Sequence, residues 1–174
     1  MDETRQLFSD LYDQHIEKIY RFIYLKVDSE EIAEDLASEA FVRLWKTLIK
    51  EEKKEIENTQ AFIYGIARNL IADHYRQNDK IKIVSVEQTI EIEDMTNSVE
   101  DQAGMSLEME NVRKALARLK DDYQDYIIWR YLDELSVSEI SQITGKSKES
   151  VRVGVYRALQ ALKRECSEEP LTVK

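Results

Sequence analysis

The sequence predicts an all-α protein with two small helical domains joined by a flexible linker. Residues that break helices are scarce, with four Gly and one Pro in 174 residues. Apolar residues recur every three to four positions through most of 4–77 and 107–164, which is the period of an amphipathic helix. Between these stretches the period is lost and acidic residues dominate, as is typical of linkers. We therefore expect a domain at 1–78, a linker at 79–105, a second domain at 106–166 and a frayed tail at 167–174. IKIVSV, at the start of the linker, could form a short strand.

Three helices are predicted in the first domain. The first runs from Thr4 to Val27, and the second from Glu30 to about Lys50, capped by Asp28 or Ser29. The third follows a charged loop, is capped by Asn58 or Thr59 and ends near Gln77. In the second and third helices we expect a buried stripe of apolar residues: Ala33, Leu36, Ala37, Ala40, Phe41, Leu44, Trp45 and Leu48, then Phe62, Ile63, Ile66, Ala67, Leu70, Ile71 and Tyr75.

The outward faces of two of these helices carry candidate binding residues. On the second helix, Asp35, Glu39 and Arg43 follow one another at i+4 steps. Such a face is either solvated or suited to docking on a basic helical surface. On the third helix, the predicted outward face mixes aromatic, basic and polar groups: Tyr64, Arg68, Asn69, Asp73 and Arg76. Groups of this kind can stack on and hydrogen-bond unpaired bases, although they also suit an ordinary polar surface.

The second domain is predicted to have four helices and to end in a helix-turn-helix motif. Its first two helices carry apolar stripes: Leu107, Val112, Ala115, Leu116 and Leu119, then Tyr126, Ile127, Trp129, Tyr131 and Leu132. The second of these helices opens at Asp121 or Asp122. Ser136 and Glu139 then form a capping box, Gly145 ends the third helix, and Ser147 caps the fourth.

The fourth helix is basic on one side. Residues 145–165 carry six basic and two acidic side chains, and Val151, Val155, Leu159 and Leu162 mark the opposite face. A basic amphipathic helix after a glycine turn is typical of the helix that enters the DNA major groove. An αα-hairpin with a solvated basic face remains the alternative.

The whole-chain composition excludes several classes of function. With one Cys and two scattered His we expect no disulfide, metal site or cofactor, and no combination of residues indicates catalysis. The N-terminus does not resemble a signal peptide and no long apolar run occurs, so we expect a cytoplasmic protein without membrane insertion. The net charge of −10 opposes DNA binding by the free chain and indicates a larger basic partner.

Together these motifs resemble bacterial sigma factors of the sigma-70 family. The similar segments are AEDLASEAFVRLWK and AFIYGIARNLIADHYRQ in the first domain, and ALARLKDDYQDYIIWRYLDELSVSEISQITGKSKESVRVGVYRALQALKR in the second. The extracytoplasmic-function (ECF) type, which keeps only regions 2 and 4, is the most similar. The resemblance implies three partners: core RNA polymerase through its β′ clamp helices and β flap, promoter DNA, and an anti-sigma factor.

The resemblance also implies roles for individual residues. Asp35 and Glu39 would contact the β′ clamp helices, while Phe41 and Trp45 would hold that helix in place. The positions that bind the melted minus-10 element are Tyr64, Arg68, Asn69, Asp73 and Arg76, with the Lys50–Thr59 loop around a flipped base. The positions that face the minus-35 element are Arg152, Val153, Tyr156 and Arg157, with Lys148 on a phosphate.

Several residues depart from the family pattern. Lys120 replaces a frequent Pro, Lys146 replaces an apolar residue, and Val153 and Gly154 replace polar residues of the recognition helix. We expect these changes to affect the preferred minus-35 sequence. Two other functions are compatible with the sequence: a stand-alone helix-turn-helix regulator, which would need a dimerisation element, and a helical adaptor that does not bind DNA.

Overall fold

The computed structural model describes residues 2–50, 56–84 and 107–172, and all regular secondary structure in these ranges is helical. The helices are α1 (Asp2–Val27), α2 (Glu30–Lys50), α3 (Thr59–Val84), α4 (Leu107–Arg118), α5 (Asp121–Ile127), α6 (Val137–Thr144) and α7 (Lys148–Thr172). A π-helical turn, Ile128–Leu132, follows α5. The chain divides into two compact units, Met1–Lys80 and Ile81–Lys174. The predicted all-α class with two helical domains is confirmed.

The core of the first unit joins α1, α2 and α3 through large apolar side chains. Ile19, Phe22 and Ile23 of α1 are fully buried, and the Phe22 ring meets the Tyr64 ring of α3 edge-on at 5.5 Å between centroids. The other buried positions described in this unit are Leu11 and Lys26 of α1, Ala33, Ala37, Ala40, Phe41 and Leu44 of α2, and Ile63, Ala67, Leu70 and Ile71 of α3. The small residues of α2 allow its backbone to approach α1 closely.

Side-chain oxygens start α2 and α3. Ser29 Oγ accepts from the Ile32 amide at 3.3 Å, and Asn58 Oδ1 accepts from the Ala61 amide at 3.0 Å. Of the two residues predicted to cap each helix, Ser29 therefore caps α2 and Asn58 caps α3. Asp28 instead turns the chain between α1 and α2 with a φ of +52°.

The third helix differs from its prediction in two ways. It continues to Val84, so the suggested strand is wrong for Ile81–Val84, and the rest of the linker lies outside the described residues. Extending a formed helix adds one hydrogen bond per residue, which overrides the β-preference of Ile and Val. Tyr75, predicted in the core, is 41% exposed, with its hydroxyl donating to the Lys26 carbonyl.

In the second unit the core surrounds a fully buried Trp129. The other buried apolar residues are Ala115, Leu116, Leu119, Tyr126, Ile127, Ile128, Leu135, Ile140, Val151, Val155 and Ala158. Tyr131 and Leu132, predicted in the same stripe as Trp129, are 49% and 41% exposed. The π turn is the reason: the Asp133 amide donates to the Ile128 carbonyl at 2.8 Å, and this i−5 bond changes the register. Val112, also predicted in a buried stripe, is 42% exposed, and Ala115 is the first buried residue among the described side chains of α4, which start at Glu110. The side chain of Leu107 lies outside the described residues.

The caps of the helix-turn-helix agree with the prediction. The Glu139 amide donates to Ser136 Oγ at 3.0 Å, and the Ser136 amide donates to Glu139 Oε1 at 2.9 Å, which completes the capping box. Gly145 ends α6 with a φ of +76°, and Ser147 Oγ accepts from the Ser150 amide at 3.1 Å. One difference is that α7 continues to Thr172, where the sequence predicts a frayed tail.

Two glycines in helical surroundings should respond oppositely to Ala. A Cβ on Gly65, inside α3, would meet no atom within 4 Å, so Gly65→Ala should raise the free energy of unfolding by about 0.5–1 kcal/mol. At Gly145 the positive φ disfavours any Cβ, and the same change should cost roughly 1–2 kcal/mol. Urea denaturation of the two variants measures both effects. A destabilised Gly65→Ala protein would contradict the open space around that residue.

Candidate functional site

An acidic surface lies on the N-terminal half of α2. Asp35 is exposed one turn before Glu39, and Glu39 Oε1 accepts from Arg43 Nε at 3.1 Å. Both members of this pair are 45% exposed, so the ion pair contributes little to stability. The predicted outward position of Asp35, Glu39 and Arg43 is confirmed. This surface offers carboxylates to a partner at small cost to the fold.

An apolar cleft of about 540 Å³ lies between α1 and α2, and the α2 residues that line it begin at Ser38, beside Glu39. Its aromatic walls meet edge-on, with Phe8 and Trp45 centroids 5.4 Å apart and those of Tyr12 and Phe41 4.9 Å apart. The lining residues are Arg5, Phe8, Tyr12, Ser38, Phe41, Val42 and Trp45. Phe41 is buried and Trp45 half-buried.

Sequence reasoning missed part of this cleft. Val42 is 43% exposed and Tyr12 is 41% exposed, so both offer accessible apolar surface to the cleft. One signal was available: Glu39, Val42 and Trp45 follow at i+3 steps, which places an apolar residue beside the acidic surface.

Four of the five predicted base-contacting residues lie on the accessible side of α3. Asn69, Asp73 and Arg76 are exposed and Arg68 is half-buried, with Arg76 Nη1 3.4 Å from Asp73 Oδ1. The outward position predicted for Tyr64 is wrong, because its side chain is fully buried against Phe22. A ring enclosed in this way is inaccessible to a base.

A second cleft, of about 420 Å³, lies between the C-terminal half of α2 and the start of α3. Phe62 and Ile66, predicted in the core, are only half-buried and form its apolar part. The α2 side is mainly basic, with Arg43, Lys46, Thr47 and Lys50. Cations beside an exposed aromatic edge are suited to a nucleic acid strand, whose phosphates and bases need these two kinds of contact. The spacing of Arg43, Lys46 and Lys50 at i+3 and i+7 was the sequence signal for this cleft.

The recognition helix, α7, presents its five predicted DNA contacts together on the surface. Lys148, Arg152 and Tyr156 form one row at i+4 spacing, and Val153 and Arg157 form the next. All five are exposed, Tyr156 by 65%, while Val151 and Ala158 are fully buried on the opposite side. Gly154 lies on that inner side, against the Tyr126 ring.

Two histidines of the described ranges have shifted pKa values. Burial lowers the pKa of His15, with a smaller effect from Lys18, and burial also lowers the pKa of His74. A lowered pKa favours the neutral form of both imidazoles. Among residues 2–50, 56–84 and 107–172, there is no group of three or more His, Cys, Asp or Glu that could hold a metal. None of the helices described there combines the length and apolarity needed to span a bilayer.

Two family models match the chain, one on each unit. The description "Sigma-70 region 2" matches residues 11–81, and "Sigma-70, region 4" matches residues 109–162. The chain is 30% identical to the ECF RNA polymerase sigma factor SigW of Bacillus subtilis, over 91% of this chain and 88% of SigW. It is 32% identical to the ECF RNA polymerase sigma factor BldN of Streptomyces coelicolor, over 90% of this chain. The match spans 59% of the length of BldN.

Two solved structures share the fold. CnrH, determined in complex with the cytosolic domain of CnrY, aligns with a TM-score of 0.67 and 18% identity over 92% of this chain and 87% of CnrH. The sigma factor RpoE of Bartonella quintana, determined in complex with the anti-sigma factor NepR, aligns with a TM-score of 0.65 and 21% identity. That alignment covers 92% of this chain and 96% of RpoE.

Proposed function

Because the chain belongs to the extracytoplasmic-function sigma factors of the sigma-70 family, we propose that it binds core RNA polymerase and directs initiation at specific promoters. The observation that carries this function is the presence in one chain of an acidic docking helix and an exposed basic recognition helix. It acts in the cytoplasm by binding alone, without catalysis or a cofactor. A stand-alone regulator has no use for the acidic surface on α2, and an adaptor has no use for α7.

The polymerase contact is assigned to the acidic surface and the apolar cleft beside it. Asp35 and Glu39 meet the basic side of the β′ clamp helices, where complementary charge speeds encounter and fixes orientation. The cleft supplies the apolar anchor that such interfaces need at their centre. Phe41 forms its wall and Trp45 its accessible edge. The second unit, which matches sigma-70 region 4, makes the second polymerase contact, with the β flap.

The minus-10 contact is assigned to α3 and the basic cleft. Arg68, Asn69, Asp73 and Arg76 hydrogen-bond unpaired bases, while Arg43, Lys46 and Lys50 bind the phosphates of the same strand. Phe62, half-buried at the cleft, takes the stacking role first predicted for Tyr64. Stacking at roughly 1–3 kcal/mol per base offsets an unpairing cost of a few kcal/mol.

The minus-35 contact is assigned to α7 in the major groove. Arg152 and Arg157 have the length and donors to reach base edges or phosphates, and Lys148 lies in the first turn, beside the DNA backbone. Val153 and Tyr156 provide apolar contact, of the kind that recognises a thymine methyl group.

An anti-sigma factor that covers these surfaces is the expected regulator. The structure of RpoE of Bartonella quintana was determined in complex with the anti-sigma factor NepR. For this chain the same regulation would hide the carboxylates of α2 and the basic face of α7 until a signal releases them.

A run-off transcription assay separates the proposed function from its alternatives. Core RNA polymerase is incubated with promoter DNA, with and without the purified chain. A sigma factor gives a transcript of defined start only when both are present. A stand-alone regulator would bind the DNA without core enzyme, as measured by a gel shift on the same fragment. An adaptor would change neither the transcript nor the gel shift. Either of these results would refute the proposal.

A further inference from the structure

Gly154 forms a recess on the inner face of the recognition helix. It lies between Val151 and Ala158, both fully buried, and next to Val155. A Cβ added to Gly154 would lie 2.5 Å from Cε2 and 2.9 Å from Cζ of the Tyr126 ring. Since ordinary contact begins at 3.4 Å, a residue larger than Gly fits here only if the Tyr126 ring, α5 or α7 moves.

The Tyr126 ring cannot easily move aside. Its side chain is only 4% exposed, and its ring meets the Trp129 ring edge-on, with 6.4 Å between centroids. Trp129 is itself fully buried at the centre of the unit. Swinging the ring outward would open a cavity beside Trp129, and cavities in packed cores are costly. The ring therefore acts as a fixed stop against which α7 rests.

We propose that the Tyr126–Gly154 contact positions the recognition helix and thereby sets its preference for a minus-35 sequence. This inference rests on the proposed function of α7. Successive residues of a helix are fixed about 100° apart, so the seating of Gly154 determines where Arg152, Val153 and Tyr156 point. Tyr126 and Gly154 are positioning residues that do not touch DNA.

The distances indicate how sensitive base recognition by α7 should be to a change at Gly154. Restoring ordinary contact after adding a Cβ requires moving the nearest atoms from 2.5 Å to 3.4 Å apart, a displacement of 0.9 Å. Hydrogen bonds to base edges operate over a donor–acceptor range only about 0.5 Å wide. A shift of this size in α7 exceeds that range, and a bidentate contact of Arg152 with a base edge needs correct orientation as well as distance. Single contacts with phosphates, which need only proximity, tolerate the shift.

The experiment measures sequence preference in the holoenzyme. A promoter is first recovered by selecting DNA bound by the wild-type holoenzyme, and a second template carries the same promoter with its minus-35 hexamer scrambled. The readout is the ratio of initiation on the two templates. This ratio does not depend on the amount of folded protein, so it separates positioning from simple loss of stability.

Four variants of the contact are compared with wild type. Gly154→Ala pushes α7 outward, and Tyr126→Leu removes the stop without changing α7. Each should lower the preference for the intact minus-35 element at least tenfold, with unchanged initiation on the scrambled template. Tyr126→Phe keeps the ring atoms that meet Gly154 and should behave as wild type. The double variant Tyr126→Leu/Gly154→Ala should regain part of the preference, because the smaller side chain makes room for the Cβ.

The controls make the outcomes distinct. Gly65→Ala also replaces a helical glycine, but in open space in the other unit, and should keep the wild-type ratio. A wild-type ratio in both Gly154→Ala and Tyr126→Leu would overturn the inference, as would a parallel fall on both templates that follows thermal stability. If the wild-type holoenzyme itself shows no preference for the intact element, the proposed minus-35 function fails instead.

Discussion

Replacing Asp35 with Arg is expected to abolish binding to core RNA polymerase while leaving the protein folded. Asp35 is exposed on α2, so its replacement creates no cavity and breaks no core contact. Exposed substitutions of this kind usually change stability by less than about 0.5 kcal/mol. The charge reversal, however, places a cation against the basic surface proposed as the docking partner, and like charges across an interface cost several kcal/mol.

Co-elution with core enzyme on size exclusion at physiological salt measures this effect. Asp13→Arg is the matched control, because it makes the same charge change at an exposed position of α1 in the same unit. The control should co-elute like wild type, and both variants should melt at the wild-type temperature. Normal holoenzyme assembly by Asp35→Arg would contradict the proposal that the acidic surface of α2 contacts polymerase.

The second large effect is expected at Arg152. Arg152→Ala should weaken binding of the holoenzyme to its minus-35 element by about 1–3 kcal/mol, which is roughly 5- to 150-fold, if the guanidinium contacts a base edge. Its side chain is exposed on α7, so stability should be unaffected. The loss should disappear when the minus-35 element is scrambled.

Lys148→Ala provides the comparison for Arg152→Ala. Lys148 is proposed to contact a phosphate, so its removal should weaken binding about equally on all sequences and reduce the salt slope by about 1. Titrations of promoter fragments at several salt concentrations distinguish the two patterns. An equal loss on all sequences for Arg152→Ala would reassign that residue to the DNA backbone.

Features that depend on a few neighbouring residues could be predicted from the sequence. The capping box of Ser136 and Glu139, the left-handed Gly145 and the Ser147 cap all act within four positions of the chain. Amphipathic periodicity likewise located the exposed row of Lys148, Arg152 and Tyr156, because the opposite face of α7 is strongly apolar.

Features decided by distant contacts could not be predicted. Tyr64 is a different case, because it lies three positions before Ala67 and seven before Ile71 of the predicted buried stripe. The helical period alone therefore places Tyr64 on the core side, where it packs against the Phe22 ring, 42 positions earlier. Tyr131 and Leu132 fit a regular helix, and nothing local indicates the π turn that exposes them. From the sequence, Gly154 is a departure from the family pattern on the DNA-reading helix. The structure shows that Gly154 leaves room for the Tyr126 ring, 28 positions earlier in the chain.

The acidity of the chain is consistent with a protein that binds promoter DNA only together with RNA polymerase. A net charge of −10 repels the phosphate backbone, so the basic face of α7 and the basic cleft of α2 cannot hold DNA tightly by themselves. Under the proposed function, binding to polymerase removes this obstacle because the larger enzyme supplies the positive field. Promoter recognition should therefore require the assembled holoenzyme.

Footprinting of one selected promoter tests that claim most directly. The promoter is incubated with the chain alone, with core polymerase alone and with both, then probed for protection at minus-35 and for single-stranded thymines at minus-10. Protection and permanganate reactivity should appear together, and only when both proteins are present. Specific protection by the chain alone, or a closed minus-10 element with both proteins bound, would contradict a sigma factor that opens its promoter as part of the holoenzyme.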